Sequence, residues 1–265
     1  VTTAVILGSG TSNGIPMLGV EYPPGYLEDP RNRRNRACLA LQGPTGNVIV
    51  DCPPELRLMA HAAAIHDIEA VIVTHTHADH IMGMDDLRSI CMKTGRPVPI
   101  YTLPRYQEDI RRVFAYAFIE HQTGVFVPRF DLYDVAETLH LGGMEIRTFL
   151  VEHGRIPVIG LRVGDFAYIT DVSHIPDSAR AELHGLETLV VDAVRLKPHP
   201  NHFHLEKALA VAAEIGAKRT ILTHLSGDYD HAKSNSELPE GVELAYDGMK
   251  VSVSGDKNNK TSEVS

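Results

Sequence analysis

Residues 71–80 read Val71-Ile72-Val73-Thr74-His75-Thr76-His77-Ala78-Asp79-His80. Four apolar or β-branched residues run directly into His75, His77, Asp79 and His80. Such a run predicts a buried strand that ends in a turn carrying four metal-binding side chains. Residues two apart on an extended backbone point the same way, so His75 and His77 can share one ion. Asp79 and His80 lie past the strand, where the chain turns, and can face a second position a few ångströms off. Imidazoles with a carboxylate suit zinc, manganese or iron(II), and no thiolate is required.

Outward from this stretch, short strands and helices alternate without an internal repeat. Strands are expected at residues 3–7, 38–41, 48–51, 71–74 and 99–102, punctuated by Gly, Pro and Asn turns. The second half continues with strands at 145–150, 158–163, 166–170, 188–191, 220–223, 242–246 and 250–253. Helices are expected at 54–64 and 104–118, both opening near a proline, and at 176–183 and 205–215. Two β-rich halves, each with helices, predict an α/β (α+β) fold, a four-layer αββα sandwich with helices outside two packed sheets. Residues 1–255 read as a single domain, and the polar, aperiodic residues 256–265 as a disordered tail.

Composition narrows the function classes. The chain has 265 residues, 43% of them apolar and 22% charged, enough for a substantial core. No stretch reaches the length of a membrane span, and no signal-peptide pattern opens the sequence. Cys38, Cys52 and Cys91 stand far apart, as expected of reduced, buried thiols in a cytoplasmic protein. With 15 histidines against 3 cysteines, metal chemistry falls on imidazole. A net charge of −9 argues against a nucleic-acid polymer as partner. Small anionic substrates stay open, because a dimetal centre brings its own positive charge.

Further ligands are expected where apolar runs end, since strands hold loop-borne side chains in place. His153, Asp171 and His224 each stand there. With these residues in that order behind His75-Thr76-His77-Ala78-Asp79-His80, the chain resembles the metallo-β-lactamase superfamily. Within it, the chain is most similar to the PhnP group of phosphoribosyl cyclic phosphodiesterases, from about Thr3 to Val253. The pieces that carry this likeness are Gly8-Ser9-Gly10-Thr11-Ser12-Asn13-Gly14-Ile15-Pro16, Asp29-Pro30-Arg31-Asn32-Arg33-Arg34 and Asn201-His202. Thr223-His224-Leu225-Ser226 and the segment from Leu238 to Met249 complete them.

The resemblance implies two divalent metal ions, zinc or manganese. One would bind His75, His77 and His153; the other would bind Asp79, His80 and His224, with Asp171 bridging. A bridging hydroxide would be the nucleophile. Asp79, His202 and His204 are the expected catalytic residues. His202 matches the family histidine that contacts the phosphate or protonates the leaving group, and His204 takes that role if the loop register differs. Asp51, at a strand end, is expected to orient a ligand imidazole. Relatives carry a cysteine-rich loop for an additional structural zinc; residues 19–28 here contain no cysteine, which argues against that ion.

Other motifs receive plainer readings. Gly8 and Gly10 are expected in a turn near the site. Arg31, Arg33, Arg34 and Arg36 form a basic cluster that reads as a solvated charged face, with a grip on a phosphate as the alternative. His61, His66, His121, His140, His184, His199 and His231 read as surface or core residues. The expected function is hydrolysis of a small phosphodiester, such as a cyclic phosphate on ribose or a nucleotide. A tRNA-processing nuclease, a lactonase or thioesterase, and a non-hydrolytic cofactor-biosynthesis protein are the alternatives. No membrane partner is expected, and a homodimer is allowed for.

Overall fold

The computed structural model describes residues 2–120, 122 and 124–254. The tail expected at 256–265 and His121 lie outside the described residues. Among the described residues no helix is long and apolar enough to cross a membrane. Two seven-stranded sheets stack face to face. The first contains β1 (Thr2–Gly8), β2 (Cys38–Gln42), β3 (Asn47–Val50), β4 (Ala70–Ile72), β5 (Val98–Thr102) and β6 (Phe130–Asp134), side by side in that order, with the last strand of the chain beyond β1. The second contains β7 (Thr138–Leu141), β8 (Met144–His153), β9 (Ile156–Val163), β10 (Phe166–Ile169), β11 (Thr188–Asp192), β12 (Arg219–Thr223) and β13 (Val242–Leu244), ordered from β13 down to β7. The last strand, β14 (Met249–Val253), returns to pair antiparallel with β1.

Period-two side-chain alternation explains the layering. Ala4 and Ile6 of β1 pack between the sheets with Leu39, Val50, Ile72, Ile159, Tyr168, Val190 and Ile221. Their neighbours Val5 and Leu7 face outward onto helices, in a cluster with Leu56, Met59, Met84 and Ile110. On the opposite sheet Leu189 and Val191 turn outward to meet Ala208 and Val211. Because the central strands are covered on both faces, they read as nearly unbroken apolar runs. The helices outside the first sheet are α1 (Leu56–Ala62), α2 (Ala78–Ile81), α3 (Arg88–Thr94) and α4 (Pro104–Val113). Outside the second are α5 (Asp177–Arg180), α6 (Leu205–Ile215) and α7 (His231–Glu237). The four-layer sandwich is the one expected.

Several elements differ in extent. The helix expected at 104–118 breaks at Phe114, where φ is −110° and ψ 40°, and resumes as a tight 3₁₀ turn over Ala115–Phe118. The helix expected at 54–64 begins only at Leu56. The metal-bearing strand ends at Ile72, but Val73 N still donates to the Tyr101 carbonyl at 2.9 Å, so the extended path continues towards His75. β8 runs through His153, so that histidine is the final residue of its strand and does not follow it. β6, β7, α2, α3 and α7 carry no strong sequence signature and were not expected.

Two placements correct the reading of the arginine cluster, and a glycine shows how closely this region packs. Arg34 is only 1% exposed, not solvated. Its guanidinium donates to the Tyr229 carbonyl at 3.2 Å from both Nη1 and Nη2, tying residues 26–34 to the segment after His224. Arg36 is half-buried, paired with Glu55 and donating to the Ser12 carbonyl at 2.7 Å. Gly8 admits a close backbone approach: a Cβ there would lie 1.9 Å from the Arg36 carbonyl oxygen. This packing ties the opening glycine motif to the strand-end face.

Candidate metal centre

In the first sheet β3, β4, β5 and β6 run parallel, and in the second so do β10, β11, β12 and β13. The carboxyl ends of parallel strands leave a crevice that the strands themselves do not fill. β3 delivers Asp51 to that end, the extension of β4 delivers His75, and β8 delivers His153. β10, β11 and β12 deliver Asp171, Asp192 and His224. Asp51, Asp171 and His224 adopt left-handed backbone with φ of 65°, 53° and 58°. Such residues cost of order 1–3 kcal/mol each and cluster at functional sites, where the surroundings hold them.

The side chains converge. His75 Nε2 and His77 Nδ1 are 2.9 Å apart. The His153 ring centroid lies 5.6 Å from that of His75 and 5.2 Å from that of His77. His80 Nε2 is 3.2 Å from Asp79 Oδ2 and 3.3 Å from Asp171 Oδ2, and His224 Nδ1 is 3.4 Å from the same Asp171 oxygen. Donor atoms of His75, His77 and His153 lie within 4.8 Å of one another, as do those of Asp79, Asp171 and His224 and those of His75, His80 and Asp171. Asp171 thus faces both sides of the cluster.

The chemistry of this donor set fits divalent cations. His80 Nε2 and His224 Nδ1 are buried facing carboxylate oxygens 3.2–3.4 Å away without a well-directed hydrogen bond. Buried polar atoms are seldom left so unless another partner is meant for them. Burial opposes charge on His80, yet the carboxylates of Asp171, Asp51 and Asp79 outweigh it and hold its pKa well above the usual imidazole range. Asp171, conversely, is held well below the carboxylate range: burial opposes ionisation, but His224, His80 and His75 around it prevail. Carboxylates crowded onto imidazoles call for positive charge at their centre, and metal ions supply it without the protons.

A second layer braces the first. Asp51 Oδ2 accepts from His80 Nδ1 at 2.7 Å and from Thr74 Oγ1 at 2.8 Å, while Oδ1 accepts from Thr74 N at 2.8 Å. Thus Asp51 orients a cluster imidazole, as expected from its strand-end position. His153 Nδ1 donates to the Asn201 carbonyl at 2.7 Å, which turns Nε2 towards the cluster.

His202 stands among these groups. Its ring stacks on His224 at 5.0 Å, meets His153 edge-on at 4.4 Å, and its Nε2 is 3.9 Å from Asp171 Oδ1. Nδ1 contacts Asp192 Oδ2 at 2.7 Å. Burial pushes the Asp192 carboxyl up and the His202 imidazole down. Sequence reasoning missed Asp192; its signal is an aspartate closing the apolar strand Thr188–Asp192. His204 occupies the N-cap position of α6 and enters none of the convergent groups among the described residues. His199, read from sequence as a surface or core residue, sits with its ring 4.9 Å from that of His202, at the rim of the site.

Comparison with known proteins matches this architecture. The beta-lactamase superfamily domain matches residues 46–225. A crystal structure of a new diphosphatase from the PhnP family is 35% identical, with a TM-score of 0.89, covering 97% of this chain and 99% of that one. An octanoyltransferase of Porphyromonas gingivalis is 31% identical over 255 residues, 93% of this chain but 51% of the relative, so the chain spans about half that protein's length. A ribonuclease Z of Methanopyrus kandleri is 24% identical over 276 residues, 84% of this chain and 94% of the relative. Matched in sequence over most of its length and in shape over nearly all of it, the chain belongs to the beta-lactamase superfamily and has the metallo-β-lactamase fold.

Proposed function

We propose that residues 1–255 form one catalytic domain that hydrolyses a small phosphodiester, a cyclic phosphate on ribose or a nucleotide being the preferred form. The observation that carries this reading is the pair of donor groups that meet at Asp171 beside the Asp192–His202 pair. His75, His77 and His153 would hold one divalent ion; Asp79, His80 and His224 would hold the other, with Asp171 shared. Two such ions, zinc or manganese, would supply Lewis acidity to the phosphoryl group and lower the pKa of a water towards neutrality.

The chain's own residues do the rest. Asp51 and the Asn201 carbonyl fix the orientation of His80 and His153, so the cluster is preorganised. Asp79, buried at the start of α2, places its carboxylate 3.2 Å from His80 Nε2. His202 would present Nε2 to the phosphoryl site and give a proton to the departing oxygen, while Asp192 Oδ2, 2.7 Å from Nδ1, holds the ring in that orientation. The three free cysteines are buried, which suits a cytoplasmic setting.

A second reading is cleavage of a P–O–P diphosphate, favoured by the 35% identity to a PhnP-family diphosphatase. It uses the same residues, because the leaving oxygen again accepts a proton. The ribonuclease Z likeness raises RNA cleavage as a third outcome; a net charge of −9 gives a phosphate polymer little to grip. The test is a panel on metal-loaded protein: bis(p-nitrophenyl) phosphate, a 2′,3′-cyclic nucleotide, a dinucleoside diphosphate, pre-tRNA, a lactone and a thioester. Cyclic or small diesters are expected to turn over fastest. A lactone or thioester cleaved orders of magnitude faster than every phosphoryl substrate would sink the proposal.

A further inference from the structure

The loop from Arg195 to His202 joins β11 to α6 and is held at several points. Arg195 donates from Nε to the Lys197 carbonyl at 3.1 Å and from Nη2 to the Pro198 carbonyl at 2.5 Å. Asn201 N donates to His199 Nδ1 at 3.1 Å. A neutral imidazole whose Nδ1 accepts must carry its hydrogen on Nε2. Burial, together with the nearby His202 and Arg195, lowers the His199 pKa to about 4, so the ring is neutral at physiological pH. Its Nε2–H has no acceptor among the described residues, and the ring stays half-exposed. An unpaired donor is therefore fixed at the rim of the site, one ring outward from His202.

The charge of the loop itself is the reverse of the chain's average. The protein carries a net −9, yet residues 194–205 contain Arg195, Lys197 and no acid. Electrostatically, the Arg195 guanidinium acts on both His199 and His202. Gly154 lets the loop sit close: a Cβ there would lie 2.7 Å from Asn201 Oδ1. The donor thus stands one ring outward from His202, and the Arg195 charge acts on both rings.

We infer that His199 is a substrate-contacting, specificity-determining residue: its Nε2–H, backed by Arg195, receives a second phosphoryl group carried next to the one that lies at the metals. The inference rests on the phosphohydrolase reading above and narrows its substrate class. Adjacent phosphoryl groups of a diphosphate share a single bridging oxygen, so the next ring outward from His202 is the one a second group meets. A substrate with only one phosphate leaves this donor to water.

Calorimetric titration of the metal-loaded protein with methylphosphonate and with methylenediphosphonate tests this without turnover. The wild type should prefer the diphosphonate. His199→Ala should cut that preference by about tenfold, the scale of one hydrogen bond to a charged group, while methylphosphonate binding stays within about twofold. His199→Gln, which keeps an N–H donor, should retain most of the preference and guards against a folding defect. A preference equal in wild type and His199→Ala would mean chelation by the metals alone and would overturn the inference, as would no preference in the wild type. A His199-dependent preference in a protein that cleaves no phosphoryl substrate upholds the anion contact and removes only the phosphohydrolase reading.

Discussion

The two sheet ends that meet at the site are built differently. The first contributes His75, His77, Asp79 and His80 from one six-residue stretch, braced by a single buried carboxylate, Asp51. The second contributes His153, Asp171, His202 and His224 from separate strands and one loop, with Asp192 bracing His202. The first end is a compact clamp whose geometry follows from local backbone. The second is assembled only when β8, β10, β11 and β12 align. On the proposed reading the difference is a division of labour: the clamp supplies four of the seven ligands, and the dispersed end supplies the other three, Asp171 among them, together with the proton.

Asp171 is the residue that joins the ends, so its loss should have the largest effect. Asp171→Ala should lower metal content below two ions per chain and cut turnover more than about 10³-fold, the scale of losing several kcal/mol of metal-assisted stabilisation. Metal analysis beside steady-state kinetics checks it; full metal content with near-normal turnover would break the joining role.

His202 sharpens the division. His202→Ala should keep both ions and lose about 10²–10⁴ in turnover on an alkyl or ribose diester. A p-nitrophenyl ester, whose leaving group needs little protonation, should lose much less. Equal losses on both substrates would assign His202 to phosphate binding. The braces should then separate in the same way, by smaller amounts. Asp51→Ala should weaken metal affinity about 10–100-fold, and Asp192→Ala should lower turnover by a similar factor with metal affinity kept. If both variants lose metal alike, the two ends are not distinct.

The same contrast explains what could be read from the sequence. His75 to His80 are legible because four ligands share one strand-to-turn stretch. His153, Asp171 and His224 follow apolar runs, which is a position but not a partner; their order against a known superfamily gave them roles. Asp192 and His199 were missed because their meaning depends on a neighbour ten or three residues along, His202, reached through tertiary structure. Arg34 was misread for a related reason: its burial depends on the Tyr229 carbonyl, distant in sequence. The sandwich itself followed from alternating short apolar runs. The short α2, α3 and α7 did not, since seven residues or fewer give little helical period to see.

A group outside both ends gives a smaller effect and a control. His231 is 3% exposed in α7, and burial, with Arg31 and Arg34 nearby, lowers its pKa from 6.5 to about 4. The unfolded chain takes up a proton near 6.5 while the folded one resists it. Stability is therefore complete above that pH and falls as pH drops towards 4, by as much as about 3 kcal/mol. Denaturant unfolding at pH 7 and pH 4.5 should show a larger loss for wild type than for His231→Gln. Contributions from the site, such as His153, cancel in that comparison. Equal losses would remove His231 as a source.

The central claim is a dinuclear centre shared between the two sheet ends. Titrating metal-stripped protein with zinc or manganese, with bound ions and turnover followed together, tests it most directly. The account predicts two ions per chain at saturation, with activity that rises with the second. Full activity at one ion or fewer would contradict it.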